Sequence, residues 1–292
     1  MNSFSVCLLG FGEVGQALFG DLRPRVGKVT AWDLKFADAN SAPSRAAAGL
    51  DILVASDAKQ AVDGVDLVIS AVTAAQIGEA ATSVAGHLKR EAYYFDLNST
   101  SPAAKSNAAQ VVDSSGGRFV EAAIMSPISP RHAASPMLLG GPHAAGFMPL
   151  AQTMGFSGAQ MFSAKLGAAS AAKMCRSVIV KGLEALLLES LLTARQHDVA
   201  DAVLDSLYSL FPSDDWRDTA RYMVSRALTH GRRRAEEMRE AARTVSEVGL
   251  SSRMSSACAD WEDWASHHST AASHPDIQAM LDALLAARGS RT

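Results

Sequence analysis

A glycine-rich segment near the N-terminus restricts the possible folds of this chain more than any other part of its sequence. It lies between an apolar run at residues 5–10 and a helix-compatible run at residues 16–22. With the pattern G-x-G-x-x-G, its residues are Gly10, Phe11, Gly12, Glu13, Val14 and Gly15. Between a strand and a helix, this pattern is typical of a loop that binds the diphosphate of a dinucleotide. We therefore predict that these six residues bind such a cofactor.

Each glycine in the pattern has its own physical task. Gly10 permits a tight turn, Gly12 lets the backbone approach a pyrophosphate, and Gly15 allows the helix to pack closely on the strand. The N-terminus of the helix adds N–H donors and a favourable dipole for the phosphates. The alternative is a glycine turn that holds no ligand.

An acidic residue after the loop bears on which dinucleotide is bound. Asp33 ends the second predicted strand, 18 positions after Gly15, which is close to the spacing at which an acid hydrogen-bonds the adenosine ribose hydroxyls. Because a carboxylate there repels a 2′-phosphate, the sequence favours NAD over NADP. Two alternatives stay open. Asp33 could be a solvated loop residue that binds no ribose, since aspartate is common in such loops. The nearby Lys35 could offset the charge of a 2′-phosphate, which would allow NADP to bind.

The first 165 residues alternate short apolar runs with amphipathic or turn-rich stretches. Predicted strands cover residues 5–10, 28–33, 52–55, 66–72, 92–97, 118–124 and 137–140. Several of these runs are apolar on both faces, as expected for strands of a parallel sheet that helices cover on both sides. This alternation predicts an α/β Rossmann domain over residues 1–165, with a mostly parallel, doubly wound sheet.

The pattern changes near Leu166 to one that is helical throughout. Residues 167–197 read as one long helix, which is apolar on most sides between residues 178 and 192. A helix of that kind is usually central or paired with a partner. We predict an all-α second domain over residues 166–292, built on this long central helix, and we expect two such domains to pack together in a homodimer.

The loop after the fourth predicted strand is a further candidate for cofactor contact. It contains Val72 and Thr73 among small residues, and ligands of open α/β sheets bind at the carboxyl ends of the strands. We predict that Val72 and Thr73 lie beside the nicotinamide end of the cofactor. A simple connection to the next helix is the alternative.

Composition narrows the possible partners. The net charge of −3 offers no basic surplus for nucleic acid or an anionic membrane. The chain begins without a secretory signal pattern, and its most apolar later stretch is interrupted by Glu184 and Glu189. The cysteines Cys7, Cys175 and Cys258 are scattered, which argues against a disulfide framework or a zinc site. We expect a cytoplasmic protein that binds a small molecule and no metal.

Three segments, spread in order over nearly the whole chain, together resemble the β-hydroxyacid dehydrogenase family, which includes 6-phosphogluconate and 3-hydroxyisobutyrate dehydrogenases. The first is the glycine loop. The second, DLNSTSP at residues 96–102, is similar to the family's substrate-binding pattern D-x-S-[ST]-x-x-P. The third, GAASAAK at residues 167–173, is similar to the catalytic pattern G-x-G-x-x-x-K.

The resemblance implies a role for one residue of each later segment. Lys173 would exchange a proton with the substrate oxygen during hydride transfer, and Asn98 and Ser99 would hydrogen-bond the substrate. Desolvation near a nicotinamide ring lowers the pKa of a lysine towards neutrality, which suits that task. The alternatives are a surface lysine on a helix and, for Ser99, a cap of the helix that begins at Pro102.

The chain departs from the family pattern at positions where relatives bind the substrate. Where the family has S-G-G, this chain has Met125, Ser126 and Pro127. Because proline has no N–H to donate, either a substrate carboxylate is held differently or the substrate itself is different. Ser126 and the nearby Arg131 are the candidates for that task.

A second departure lies on the predicted long helix. The family's asparagine three residues after the lysine is replaced by Arg176. Arg176 and Ser177 lie beside Lys173 at i+3 and i+4, and we predict that both contribute to substrate binding. Arg176 could bind an anionic substrate bidentately and depress the lysine pKa, or it could pair with a helix neighbour.

A third departure replaces the family's K-D-L segment with Glu236, Glu237 and Met238. Just upstream is a basic run that could supply the missing positive charge, although such runs are usually solvated. Its residues are Arg232, Arg233 and Arg234. The sequence around Lys173, at residues 173–177 and 181–186, resembles that of one poorly characterised branch of the family. That branch has a phosphogluconate-dehydrogenase-like C-terminal domain.

Taken together, these features predict an NAD-dependent dehydrogenase, or the reverse reductase. It would transfer a hydride between nicotinamide and the CH–OH or C=O group of a small hydroxy acid or related polar compound, in the cleft between the domains. Three alternatives stay open. They are a decarboxylating phosphogluconate-type dehydrogenase, whose substrate phosphate the arginine run would bind, an imine reductase, against which Lys173 argues, and a nucleotide-sensing protein without turnover.

Overall fold

The computed structural model describes residues 4–210, 212 and 215–288. The chain divides into two compact units, Met1–Met174 and Cys175–Thr292. Among these described residues, no helix has both the length and the apolar character needed to cross a bilayer.

An eight-stranded sheet forms the first unit. Its strands are β1 Ser5–Leu9, β2 Lys28–Trp32, β3 Leu53–Val54, β4 Leu67–Ser70, β5 Tyr93–Asp96, β6 Arg118–Ile124, β7 Met137–Gly140 and β8 Ala159–Ser163. The helices of this unit are α1 Glu13–Leu22, α2 Ala42–Ala47, α3 Ala58–Val62, α4 Ile77–Ala85, α5 Pro102–Ser114 and α6 Ala144–Thr153, and α7 Ala168–Gln196 begins in it.

The strand order places the chain in the doubly wound class. It runs β3-β2-β1-β4-β5-β6-β7-β8, and every neighbouring pair is parallel except β6 with β7. The order reverses between β1 and β4, so the loops that leave these two strands lie side by side at the switch point where such sheets bind ligands. The predicted Rossmann fold is confirmed.

Burial on both faces of the sheet explains why its strands read as continuous apolar runs. Along β1, Val6 and Leu8 belong to one buried cluster, whereas Cys7 and Leu9 belong to another. Since alternate strand residues point to opposite faces, a core must lie on each side of the sheet. The seven predicted strands are present, several of them shorter at the ends than the apolar runs suggested.

Strand β8 is the element that the sequence pattern did not reveal. It lies at the edge of the sheet, beside β7, and its middle residues Gln160, Met161 and Phe162 are exposed. An edge strand with exposed side chains lacks both the two-faced apolar run and a clean alternation, which are the signals used to recognise a strand.

The second unit is helical. It contains most of α7, followed by α8 Ala200–Leu210, α9 Trp216–Glu247, α10 Arg253–Ser266 and α11 Ile277–Arg288. Leu188 and Leu191 of α7, Val224 and Leu228 of α9, and Leu281 of α11 belong to one buried cluster. The predicted long helix and the helical character of the C-terminal region are confirmed.

Candidate active site

The glycine loop has the geometry that its sequence pattern predicts. Gly10 has φ +95°, and a Cβ there would lie 2.5 Å from the carbonyl oxygen of Ala71. A Cβ on Gly15 would lie 2.3 Å from the carbonyl oxygen of Gly10. A Cβ on Gly12, by contrast, would meet nothing within 4 Å. Two glycines therefore close the turn, and the third leaves open space at the N-terminus of α1, where an anion is favoured.

The other loop residues differ in what they can offer a ligand. The Phe11 side chain is fully buried, and its amide N donates to Asp33 Oδ2 at 2.8 Å. Glu13 is exposed in the first turn of α1, and Val14 is half-buried against the core. The predicted contribution of Phe11 to cofactor binding would thus be indirect, because its amide holds the carboxylate of Asp33.

Asp33 is fixed against this loop by two backbone amides. Oδ2 accepts from Phe11 N, and Oδ1 accepts from Lys35 N at 2.9 Å. Each carboxylate oxygen keeps a further lone pair that can accept from a hydroxyl. The Lys35 side chain is exposed. The structure therefore brings the predicted ribose-binding acid and the predicted phosphate loop together.

Asn98 joins the segment after β5 to the segment after β4. Its Oδ1 accepts from Val72 N at 2.7 Å, and its Nδ2 donates to Ser70 Oγ at 2.9 Å and to Asp96 Oδ2 at 2.7 Å. Asn98 is 4% exposed. Both N–H bonds are thus used inside the protein, so the predicted substrate contact could use only the remaining lone pair of Oδ1. Thr73 is exposed, and its hydroxyl donates to Gln76.

Lys173 and Ser99 meet, although 74 positions separate them in the sequence. The Lys173 Nζ donates to Ser99 Oγ at 2.5 Å, and both side chains are half-buried. Ser101, rather than Ser99, caps α5, because its hydroxyl accepts from Ala104 N at 3.3 Å. The hydroxyl of Ser99 is therefore not used as a cap, and it forms a polar pair with the predicted catalytic lysine.

Three buried charged residues, which sequence reasoning missed, contact the segments that carry this pair. Lys105 and Asp96 form an ion pair in which both side chains are fully buried, and Lys105 Nζ also donates to the Asp96 carbonyl at 3.2 Å. Glu121, also fully buried, accepts from Ala169 N at 3.2 Å. Burial raises the pKa of Glu121, while the charge of Lys105 and the amides at the start of α7 act in the opposite direction.

The buried carboxylates contact both segments that form the candidate site, which are the segment after β5 and the first turn of α7. Asp96 accepts from Asn98, the neighbour of Ser99, and Glu121 holds the first turn of α7, where a carboxylate is stabilised by the helix dipole. Lys173 follows Ala169 by one helical turn. A sequence signal existed: Lys105 shares the buried face of α5 with Ala108, Ala109 and Val112, at the spacing of a core-facing stripe.

The segment that replaces S-G-G lies after β6. Ser126 is half-buried and donates to the Pro127 carbonyl at 2.9 Å. Met125 N donates to the Pro136 carbonyl at 2.8 Å, and Arg131 is exposed. The Met125 amide is therefore already used within the protein, and Pro127 has no N–H to donate to a substrate.

Arg176 and Ser177 belong to the second unit. Arg176 is exposed, whereas Ser177 is buried and lies 3.4 Å from Lys181 Nζ, which donates to its hydroxyl. Lys181 also pairs with Glu237, and burial lowers the Lys181 pKa while Glu237 raises it. In this chain the long helix thus supplies a basic group and α9 an acidic one, at the position where the family pattern has K-D-L.

Two of the three arginines of the basic run on α9 form ion pairs within the second unit. Arg234 is 5% exposed and pairs with Glu184 and Glu262. Arg233 pairs with Glu237 at 3.1 Å, and Arg232 is exposed. The expectation of a solvated basic face is therefore wrong for Arg234, because α7 and α10 each place a glutamate against it.

Comparison with known proteins gives the family. The sequence profile of the NAD binding domain of 6-phosphogluconate dehydrogenase matches residues 5–160, and that of a domain of unknown function, DUF1932, matches residues 194–264. A conserved hypothetical protein from Sinorhizobium meliloti 1021 is 34% identical, with a TM-score of 0.74, and the match covers 96% of this chain and 95% of that one.

Two further solved structures are similar. A conserved protein of unknown function, described as structurally similar to 3-hydroxyacid dehydrogenases, is 29% identical with a TM-score of 0.70, over 90% of this chain and 97% of that one. The 3-hydroxyisobutyrate dehydrogenase of Mycobacterium tuberculosis shares the fold, with a TM-score of 0.72 at 18% identity, over 97% of this chain and 99% of that one. The chain belongs to the β-hydroxyacid dehydrogenase family and is a 3-hydroxyacid-dehydrogenase-like, NAD(P)-binding oxidoreductase.

Proposed function

We propose that this protein is an NAD-dependent dehydrogenase, or the reverse reductase, of a small hydroxy acid or a related polar hydroxyl compound. The observation that carries the proposal is the contact between Lys173 Nζ and Ser99 Oγ. It joins the lysine of one family pattern to the serine of another, so a proton-transfer group and a group able to orient a substrate hydroxyl lie within one hydrogen bond of each other.

The residues of the first unit fit a dinucleotide. The open space above Gly12 gives a diphosphate access to the N-terminus of α1, and Asp33 is fixed where it can accept from two ribose hydroxyls. Nicotinamide, when bound, supplies the acceptor or donor of the hydride. Lys173 then takes the proton from the substrate hydroxyl at Nζ, or returns it to a carbonyl, and Ser99 orients the substrate oxygen.

A substrate screen tests the proposal. Small 2- and 3-hydroxy acids and related polyols are incubated with NAD or NADP, and the absorbance of the reduced cofactor is followed. The M. tuberculosis enzyme was solved with L-serine, so L-serine is the first compound to try. Saturable reduction of NAD by at least one member of the set supports the proposal. Failure of calorimetry to detect binding of either dinucleotide would contradict it.

Cofactor preference provides a sharper test at Asp33. Asp33→Ser removes the charge that repels a 2′-phosphate, and we expect the ratio of kcat/KM for NADP to that for NAD to rise by roughly 10- to 100-fold, since a like-charge contact costs a few kcal/mol. Asp38→Ser, on an exposed acid of the same loop, is the matched control and should leave the ratio unchanged. A wild-type preference for NADP would show that our interpretation of Asp33 is wrong.

A glycine pair separates cofactor binding from folding. Gly12→Ala adds a methyl group to open space, so the thermal midpoint should stay within about 2 °C of the wild type, as is usual for surface substitutions. The affinity for NAD should fall by roughly tenfold, because the methyl group occupies the approach of the diphosphate. Gly20→Ala, at an equally open position of α1, should keep the affinity. Equal affinities in the two variants would place the diphosphate elsewhere.

A phosphorylated sugar acid is less well supported as the substrate. The phosphate was expected to bind to the arginine run, but Arg233 and Arg234 already have carboxylate partners. Arg234 could contact a phosphate only by leaving two buried glutamates uncompensated, which is costly.

We further propose a homodimer that acts on a small molecule in the cytoplasm; sedimentation velocity tests the oligomeric state.

A further inference from the structure

The second unit contains a cavity that the proposed reaction does not use. Its volume is about 560 Å³, and α7, α10 and α11 line it. The lining residues are Glu189, Leu192, Thr193, Gln196, His197, Asp260, Trp261, Trp264, Leu284 and Leu285. All of them belong to one compact unit, so the cavity is a property of the helical unit alone.

Two indole rings form a corner of this cavity. Trp261 and Trp264 are three positions apart on α10, which places them on the same side of the helix. Their ring centroids are 5.3 Å apart and their planes meet at 81°. His268 packs on Trp264 with a centroid distance of 4.6 Å, and Trp261 Nε1 donates to Glu189 Oε2 at 2.7 Å. Both rings are therefore held in place by neighbours.

The charge of the lining is negative. Glu189 and Asp260 both line the cavity, and neither forms an ion pair with any residue that the structure describes. His197 is the lining side chain that could carry a positive charge. An anionic ligand would be repelled by the two carboxylates, and an uncharged apolar ligand would desolvate them without compensation.

The rest of the lining combines two polar side chains, Thr193 and Gln196, with an apolar stretch of three leucines. Leu192, Leu284 and Leu285 offer no hydrogen-bond acceptors for the N–H groups of a primary ammonium ion. An alkylated ammonium ion has no such requirement, since its positive charge is spread over methyl groups that pack on leucine and on the faces of indole rings. Tryptophan is the aromatic side chain that attracts such cations most strongly.

We propose that this cavity binds a small organic cation of the quaternary or alkylated ammonium class. Trp261 and Trp264 contact the methyl groups, Glu189 and Asp260 balance the charge, and the leucines complete the wall. This proposal is independent of the dinucleotide site, which lies in the first unit, so either can fail without the other.

Calorimetric titration with two matched probes tests the charge requirement. Tetramethylammonium chloride and choline chloride should bind saturably, with a change in tryptophan fluorescence. 3,3-Dimethylbutan-1-ol, which has the shape of choline without its charge, should bind at least about tenfold more weakly, because it gains no cation–π attraction. All titrations are made at one ionic strength, set with sodium chloride. Equal binding of the alcohol would overturn the proposal, as would no saturable binding of either cation.

Variants locate the site. Asp260→Asn, at an exposed carboxylate, should keep the fold and weaken tetramethylammonium binding by roughly 3- to 10-fold, and Trp264→Leu by roughly 3- to 30-fold. The matched control is Asp263→Asn on the same helix, since Asp263 pairs with Arg239 and does not line the cavity; it should bind as the wild type does. If the control loses as much affinity as Asp260→Asn, the cavity is not the site.

A second copy of the chain is the competing occupant. Sedimentation velocity of the wild type and Trp264→Leu distinguishes the two. An unchanged oligomeric state, together with weaker binding of the cation, supports a ligand site. Conversion of a wild-type dimer into a monomer by Trp264→Leu would show that the cavity is covered by a partner chain, and the proposal would be wrong.

Discussion

Replacement of Lys173 by methionine should lower kcat by roughly 10²- to 10⁴-fold, which is the usual contribution of a general acid or base. Methionine keeps much of the length and the apolar stem of lysine but has no proton to exchange and no donor for Ser99. The dissociation constant for NAD should change little, because the glycine loop and Asp33 hold the cofactor without Lys173. Steady-state kinetics and calorimetry measure the two quantities.

The control for this variant is a nearby lysine outside the site. Lys165 is exposed and precedes α7, so Lys165→Met changes the same residue type without touching Ser99 and should leave kcat within about twofold, as is usual away from a site. A protein that only senses nucleotides has no turnover to lose. If Lys173→Met retains the wild-type kcat on an active substrate, the lysine is not the proton-transfer group.

Ser99 supplies a coupled test of the same contact. Ser99→Ala removes the acceptor of the Lys173 hydrogen bond. If the two residues act together on the substrate oxygen, the double variant should be little worse than Lys173→Met alone, because residues that act as a unit are not additive. Fully additive losses would mean that the contact has no part in the reaction.

The second large effect is expected on stability, at Lys105. Lys105→Met leaves Asp96 and Glu121 as buried carboxylates without their cation, and we expect the free energy of unfolding to fall by about 3–5 kcal/mol. The pair is fully buried on both sides, so neither carboxylate can regain its hydration while the unit is folded. Denaturation by urea, followed by circular dichroism, measures the change.

A half-exposed ion pair in the same unit provides the comparison. Lys89 pairs with Asp66 at 2.5 Å, with 54% of its side chain exposed, so Lys89→Met should cost less than about 1 kcal/mol. Adding Asp96→Asn to Lys105→Met removes one of the two stranded charges and should restore part of the loss. Equal costs at Lys105 and Lys89 would show that burial of the first pair has no energetic consequence.

The fold could be predicted from the sequence because the features that indicate it lie within a few consecutive residues. Gly10 has a positive φ, and at Gly15 two backbone segments approach closely. Each condition requires glycine at one position, so a short sequence pattern is enough to indicate it. Apolar runs of a few residues likewise report burial on both faces of a strand. Strand β8 escaped this reasoning because an exposed edge strand carries neither signal.

Individual residues of the candidate site could be predicted from the sequence, but most of their contacts could not. The sequence named Lys173 and Ser99, and the structure shows their contact, while their roles in catalysis stay predictions. For Asn98, the sequence indicated a polar residue at the right place, but its two donated hydrogen bonds depend on where β4 and β5 end in space. For Arg234, a run of three arginines predicted a solvated face, and two glutamates from other helices enclose the last of them.

The glycine loop, the covered parallel sheet and the helical C-terminal region could all be predicted from the amino-acid order, since each follows from steric limits or periodicity within a few residues. Which charges form ion pairs, by contrast, follows from the three-dimensional packing. Asp96 and Lys105 come from β5 and α5, and their pairing depends on how these elements pack rather than on spacing along the chain. The same holds for the indole corner and its carboxylates, because Glu189 and Trp261 are 72 positions apart.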